Sequence, residues 1–365
     1  MCDLSFFLDS FFISIAEISI FSKFVILFEM PLEYSFIIPV FNRPEEIQEL
    51  LQSMLQLQFS RPFEIVIVED GSTVTCEDVI KKYQDRLNIN YYFKENTGPG
   101  DSRNYGMKKA QGNYFLILDS DVLLPENYLQ EVDSFLSTNY FDCFGGPDAA
   151  HESFTDIQKA INYSMTSLLT TGGIRGNKQA VNKFQPRSFN MGLSKKAFLA
   201  SGGFGLIHPG EDPDLALRLQ KEGFQTILLP DALVYHKRRI DWNKFYIQVR
   251  KFGMVRPILN SWHPASAKIT FWFPSLFIVG LIFSLLLAML GFTLFLSFFF
   301  FYFVIIGLDA GIKNKSVYIG IAAIMATFIQ FLGYGVGFLN AIWKLNFLKM
   351  EPQEAFPDLF FIDEN

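Results

Sequence analysis

Residues 269–308 form an unbroken run of 40 positions without a charged side chain. As a helix, at about 1.5 Å per residue, that run extends about 60 Å. The hydrocarbon core of a bilayer is about 30 Å thick, so the run fits two spans. A soluble core rarely contains such a stretch. Gly291-Phe292-Thr293 is a natural turn between the two helices. After a short polar loop, 309–316, residues 317–343 are again uncharged. Three membrane-spanning helices within 269–345 are therefore expected, with two as the alternative. Half of the 365 residues are hydrophobic and 42 are Phe, which agrees with a membrane-associated chain.

A basic stretch precedes the first span. Lys237, Arg238, Arg239, Lys244, Arg250, Lys251 and Arg256 face a single acid, Asp241, and Trp242, Phe245, Tyr246, Phe252 and Trp262 are interleaved. Basic residues beside a span favour the cytoplasmic side and meet anionic headgroups there. Residues 241–268 thus read as an interfacial segment. Two crossings return Lys313 and Lys315 to that same side. A third crossing would put Lys344, Lys349 and the acidic tail, 346–365, on the far side.

The N-terminal residues 1–29 are apolar but broken by Asp3, Asp9, Glu17 and Lys23. They are too interrupted to span a bilayer and have no basic start typical of a signal. They read as an extension outside the fold, with Met30 as an alternative start. The net charge of −6 gives no reason to expect nucleic-acid binding. Cys2, Cys76 and Cys143 show no metal or disulfide spacing and read as thiols in a reducing compartment.

Residues 30–240 alternate short apolar runs with helical patterns. Strands are expected at 34–40, 63–68, 89–93 and 114–118, and helices at 44–57, 77–85, 101–110 and 215–222. Asn42 reads as the cap of the first helix. This alternation predicts an α/β domain with a mainly parallel sheet flanked by helices. In such sheets ligands bind at the C-terminal ends of the strands. Asp119 and Asp121 stand just past the fourth strand. Residues at i and i+2 of extended chain point the same way, so the two carboxylates can converge on Mg²⁺ or Mn²⁺.

Four further segments line up around Asp119-Ser120-Asp121. They are the I-I-P-V-F-N of residues 37–42, the V-E-D-G-S of 68–72, the G-x-x-x-x-R-N of 98–104 and the G-E-D of 210–212. In this order they resemble the inverting family 2 glycosyltransferases, over about residues 34–240. The resemblance implies a GT-A nucleotide-sugar-binding fold and C-terminal membrane helices of the kind found on many bacterial members. It implies a nucleotide-sugar donor, read as UDP-linked, and a lipid-linked or saccharide acceptor in cell-envelope glycan synthesis. The catalytic domain would face the cytoplasm from a multi-pass inner-membrane anchor.

Residue by residue, the resemblance makes Asp70, beside Glu69, the uracil-recognising acid. Pro39 and Phe41 would shape the nucleoside site. Gly98 would let the backbone approach the nucleotide and Arg103 would reach its phosphates. Asp119 would contact the donor, and His236 would join Asp119 and Asp121 on the metal. Asn190 would contact donor sugar or acceptor. Asp212 would be the base that takes the acceptor's proton, with Glu211 orienting it. Gln248-Val249-Arg250-Lys251-Phe252 only loosely echoes the Q-x-x-R-W of processive relatives, which argues against polymer synthesis. His151, His208 and His263 have no comparable context. A polyprenyl-phosphate glycosyltransferase and a catalytically silent nucleotide-binding scaffold are the alternative functions.

Overall fold

Strands β1 (Tyr34–Val40), β2 (Glu64–Asp70) and β4 (Tyr114–Leu118) are buried along nearly their whole length. Parallel strands covered by helices on both faces require that continuous apolar character. The computed structural model describes residues 31–149, 154–171, 184–237 and 241–361. The N-terminal extension, His151, Arg238, Arg239, Asp363 and Glu364 lie outside the described residues.

Seven strands run in the order β3-β2-β1-β4-β8-β6-β9. The added members are β3 (Ile89–Lys94), β6 (Cys143–Gly145), β8 (Asn190–Ser194) and β9 (Thr226–Leu228). β3, β2, β1 and β4 are parallel, while β8 is antiparallel to both β4 and β6. Ile37 of β1 pairs with Val66 of β2 and Ile117 of β4, so these strands end together at one edge. A second sheet of three short strands, β5 (Val122–Leu123), β10 (Val234–His236) and β7 (Asp148–Ala149), stands beyond that edge. The whole is an α/β domain of GT-A type.

Helix α1 (Pro44–Met54) buries Ile47, Leu50, Leu51 and Met54, the face its spacing predicts. It ends three residues earlier than expected, and Asn42 does not cap it. Asn42 instead adopts φ 55° and accepts hydrogen bonds at Oδ1 from the backbone N–H of Thr73, 2.8 Å, and Val74, 2.9 Å. It thereby ties the end of β1 to the loop after β2. The next helices are α2 (Glu77–Lys81), α3 (Pro99–Lys109), α4 (Tyr128–Thr138), α5 (Asp156–Thr166), α6 (Lys195–Ser201) and α7 (Glu211–Lys221). α3 lies directly on β1 and β2. A Cβ on its Gly106 would stand 2.8 Å from Ile37 Cγ2.

The C-terminal region comprises α8 (Trp242–Trp262), α9 (Phe273–Met289), α10 (Leu294–Asn314) and α11 (Val317–Ile342). Three stretches are long and apolar enough to cross a membrane: Ile269–Met289, Leu294–Asn314 and Val317–Phe347. α10 runs through most of the loop expected at 309–316. Asp309 accepts a hydrogen bond from Lys313 one turn on, 2.8 Å, and from Tyr163 of α5, 2.6 Å, which keeps its charge satisfied within the helix.

The three stretches differ in their surroundings. The first two are 17% and 11% buried, but the third is 50% buried. α11 lies along α8 because its facing side is small: Ala322, Ala326, Gly333, Gly337 and Ala341 are all buried. Small residues let two helix backbones approach closely. A Cβ on Gly337 would stand 2.2 Å from Arg250 O, and one on Gly253 would stand 2.1 Å from Tyr334 O.

Beyond α11 the chain turns back. Ala355, Phe356 and Leu359 pack with Ala341, with Val255 and Leu259 of α8, and with Ile207 of the α/β domain. Ile207 forms a β-bridge to Phe360, and His208 N donates to Leu359 O at 2.7 Å. These contacts set the tail against the α/β domain.

Gly337→Leu is expected to part α8 from α11, because its neighbour is backbone that cannot step aside. Overpacking of this kind costs about 1–3 kcal/mol. Gly280→Ala, whose nearest neighbour is Phe299 at an ordinary 3.5 Å, should be tolerated. Thermal unfolding of the detergent-solubilised full chain separates the two. Equal melting of both variants would show that the close approach is not needed.

Candidate active site

The edge where β1, β2 and β4 end collects most of the chemistry. β4 delivers Asp119, and β5 begins one residue after Asp121. β10 pairs antiparallel with β5, placing His236 opposite Val122. One ligand atom from each of Asp119, Asp121 and His236 therefore lies within 4.8 Å of the others. His236 Nε2 is 3.1 Å from Asp121 Oδ1. Asp148 Oδ2 stands 3.8 Å from Nδ1 on the other side of the ring, and Phe189 stacks on it at 4.7 Å. A carboxylate behind the imidazole is the usual support of a metal-binding histidine. Two carboxylates and one imidazole are a donor set that fits Mn²⁺ or Mg²⁺.

A second acidic group faces this one. Gly210, at φ 124°, turns the chain into α7, whose first turn begins with Glu211 and Asp212. Acids are favoured there by the helix dipole. Arg103, buried on α3, joins the two groups. Its Nη2 donates to Asp119 Oδ1 at 2.6 Å and its Nη1 to Glu211 Oε1 at 3.2 Å. The guanidinium also lies 5.3 Å from the Phe204 ring centroid.

His208 Nδ1 sits 2.9 Å from the same Glu211 oxygen. Burial opposes ionisation of Glu211, but His208 and then Arg103 outweigh it and hold the carboxyl down at about 2. Asp212 goes the other way. Burial and the neighbouring Glu211 charge push its carboxyl above the usual range, with Arg187 and Arg103 only partly opposing. Asp212 Oδ2 lies 3.4 Å from Ser188 N and 3.8 Å from Arg187 Nη1. β8 explains that approach. Leu118 pairs with Asn190, so the residues just before β8 arrive at the same edge.

Other expected residues lie elsewhere or are engaged within the fold. Glu69 is fully buried, accepting from Cys76 N at 2.8 Å, from Tyr91 Oη at 3.3 Å and from Ser72 Oγ. Its carboxylate shapes the turn after β2. Asn190 is likewise inside. Tyr128 Oη donates to its Oδ1 at 2.7 Å and its Nδ2 donates to Ala232 O at 2.7 Å. It ties β8 to the approach of β10. Asp70 pairs with Lys94 at 2.6 Å and accepts from Thr97 N, 3.1 Å, and Gly98 N, 3.0 Å. It thus holds the glycine loop against the end of β2. A Cβ on Gly98 would strike the Phe361 ring at 2.3 Å, so the C-terminal tail reaches this loop. Pro39 is within β1, opposite Val68, and Phe41 is exposed just past its end.

His208, Arg187 and Lys94 were not singled out in the sequence. His208 carries a local signal, three residues before Glu211 in H-P-G-E-D. Arg187 and Lys94 carry none, since only the sheet register brings them to the edge.

Residues 35–200 match the sequence model of Glycosyl transferase family 2. An uncharacterized glycosyltransferase of Rickettsia bellii is 34% identical over 143 residues, 39% of this chain and 19% of that protein. The poly(ribitol-phosphate) β-N-acetylglucosaminyltransferase of Staphylococcus aureus is 32% identical over 114 residues, 30% of this chain and 20% of that one. The chain thus spans about a fifth of the length of these relatives. Among solved structures, a mannosyltransferase from Pyrobaculum calidifontis, in complex with GDP-mannose and Mn²⁺, superposes with a TM-score of 0.50 at 14% identity. That likeness, which concerns the fold alone, covers 83% of this chain and 88% of the other.

The His208–Glu211 pair makes stability depend on pH. Burial opposes the imidazolium, but Glu211 raises its pKa above the ordinary value. A raised folded pKa means that the pair's contribution is fully present below about pH 6.5. It is lost as pH rises through the higher folded value. The ring is 41% exposed, so water screens part of the effect. Melting temperature against pH should therefore fall more steeply for the parent than for His208→Gln above about pH 6.5; parallel curves would contradict the pairing.

Proposed function

The domain over residues 35–200 belongs to glycosyltransferase family 2, and from that premise we propose that the chain is a metal-dependent inverting glycosyltransferase. It moves one sugar from a nucleotide-sugar donor to a lipid-linked or saccharide acceptor in cell-envelope glycan synthesis. The observation that carries this reading is the pairing, through Arg103, of Asp119 with Glu211. A leaving-group site and a proton-accepting site are thereby held a fixed distance apart.

In this reading Asp212 takes the proton of the acceptor hydroxyl as its oxygen attacks the anomeric carbon and the bond to the nucleoside diphosphate breaks. The raised affinity of Asp212 for a proton suits a general base. Glu211, held ionised by His208 and Arg103, cannot compete for that proton and keeps Arg103 in place. Asp119, Asp121 and His236 would hold the divalent cation, which supplies charge neutralisation for the departing diphosphate. Asp70 and Gly98 shape the loop on which the nucleotide rests. The UDP identity of the donor rests on the resemblance of the Asp70 segment alone.

For location, we read residues 269–314 as the membrane anchor, a hairpin of α9 and α10, with the α/β domain on the cytoplasmic side. α11 lies along α8 rather than crossing, because its C-terminal end and the tail both pack on Ile207. The chain would then cross an even number of times. Labelling of a cysteine placed at Phe361 by a membrane-impermeant maleimide tests this in sealed spheroplasts and in inverted vesicles. Reaction only in inverted vesicles is expected; reaction in spheroplasts would restore a third crossing.

The catalytic reading is tested by release of nucleotide from a panel of nucleotide sugars, with Mn²⁺ or Mg²⁺ and with chelator. Asp212→Asn should lower kcat about 10²–10⁴-fold while leaving donor binding intact, and Asp119→Ala should abolish the response to metal. Because the Asp212 carboxyl is raised, the acidic limb of the pH–rate profile should lie above the ordinary Asp range, near 4. A fully active Asp212→Asn would remove Asp212 from the base role. Nucleotide binding without turnover by any acceptor would favour the silent scaffold.

A further inference from the structure

An arginine withdrawn from water without a counter-charge asks for an anion. Arg256 is half-buried, and its Nη1 is withdrawn from water in this way. It follows Val255, whose Cγ1 lies 2.5 Å from where a Cβ of Gly210 would stand. This turn of α8 therefore rests on the residue that opens α7, immediately before Glu211 and Asp212. The Arg256 guanidinium lies over the Phe271 ring, 4.3 Å from its centroid, and beside the Tyr334 hydroxyl. Among the described residues no carboxylate pairs with it, and its buried Nη1 has no hydrogen-bond partner.

The neighbouring charge is of the same sign. Arg187 is close enough to Arg256 to add its repulsion to the cost of burial, and the two together push the Arg256 guanidinium below its ordinary pKa. Arg187 in turn reaches toward Asp212, with Nη1 3.8 Å from Oδ2, beyond hydrogen-bond range. Both guanidinium groups are thus placed near the start of α7, Arg187 through Asp212 and Arg256 through the contact of Val255 with Gly210. Phe271 leads into α9 and Tyr334 belongs to α11, so the pair stands where the α/β domain meets the apolar helices.

We infer that Arg187 and Arg256 form the seat for the phosphate or diphosphate group of a lipid-linked acceptor, beside Asp212. Guanidinium forks match phosphate oxygens in geometry as well as charge. A position at the junction with the apolar helices lets the lipid chain stay in the bilayer while its polar end reaches the base. The inference rests on the proposed role of Asp212 and narrows the acceptor from any saccharide to an anionic lipid conjugate.

The test is binding to the purified full chain in nanodiscs. The probes are geranylgeranyl phosphate, uncharged geranylgeraniol, inorganic phosphate and UDP. The parent should bind geranylgeranyl phosphate more tightly than geranylgeraniol. Arg256→Gln and Arg187→Gln should each weaken that binding about tenfold, the weight of one charge-assisted hydrogen bond, with UDP affinity unchanged. Arg256→Lys should recover part of the loss, which a merely structural role would not predict. Competition by inorganic phosphate, also lost in Arg256→Gln, would support recognition of the headgroup itself. Arg256→Gln that elutes and melts like the parent and binds geranylgeranyl phosphate equally well would overturn the inference. Should a substitution at Arg256 prevent folding, Arg187→Gln, on a side chain 31% exposed, decides alone. A parent that binds UDP but no lipid phosphate sinks only this inference; a parent that binds no nucleotide sinks the donor-site reading.

Discussion

Arg103 is the group on which the site depends. A fully buried guanidinium is costly unless its hydrogen bonds are met by opposite charge. Here Asp119 from the end of β4 and Glu211 from the start of α7 meet it, and neither element touches the other through regular pairing. The ion triad therefore converts two separate pieces of backbone into one rigid arrangement. Breaking such a buried pair by removing one partner costs about 3–5 kcal/mol. The same bonds also orient Asp119 toward Asp121 and His236. Structural cohesion and placement of the candidate metal ligands are thus one set of contacts.

The small-residue seam between α8 and α11 is the second constraint. Gly253, Gly333 and Gly337 let backbone meet backbone, and the alanines continue the seam on either side. Its consequence reaches the active edge, because α8 carries Val255 against Gly210, with Arg256 next in the chain. A helix apolar enough to cross a membrane packs along α8, and in the proposed topology it serves as a platform under the α/β domain. Its exposed side still presents Val317, Ile321 and Met325, so the platform remains apolar outward. In the proposed arrangement the depth of the anchor and the position of the base would be coupled.

Much of this was legible in the residues. β1 and β4 fall where their apolar runs put them, because a fully buried parallel strand leaves no other pattern. The turn between α9 and α10 falls at the glycine singled out for it. The misses have a common cause. Asn42, Glu69 and Asn190 are polar residues at strand ends, a position equally good for binding a ligand and for satisfying the chain's own N–H and C=O groups. Only distances tell these apart: Glu69 and Asn190 are buried on partners within the fold, and Asn42, though exposed, spends its Oδ1 on the loop after β2. His208 was passed over although it stands three residues before Glu211, because only the turn before α7 folds its ring onto that carboxylate, and Arg187 because only the register of β8 against β4 brings it in. The course of α11 was invisible for another reason: glycine and alanine within an apolar helix read the same whether they face lipid or another backbone.

The two acids at the start of α7 are adjacent, yet they cannot exchange roles. Glu211 shares one oxygen with both Arg103 and His208, so its negative charge is neutralised in place and its proton affinity collapses. Asp212 sees that neighbouring negative charge and burial together, while its nearest cation, Arg187, stays at 3.8 Å. Two adjacent carboxylates are driven in opposite directions, the split that the proposed base role of Asp212 calls for. An anion seated on Arg187 would weaken one of the two cations, Arg187 and Arg103, that steady ionised Asp212, and so make it a stronger base. Acceptor binding and base strength would then be linked through a single guanidinium.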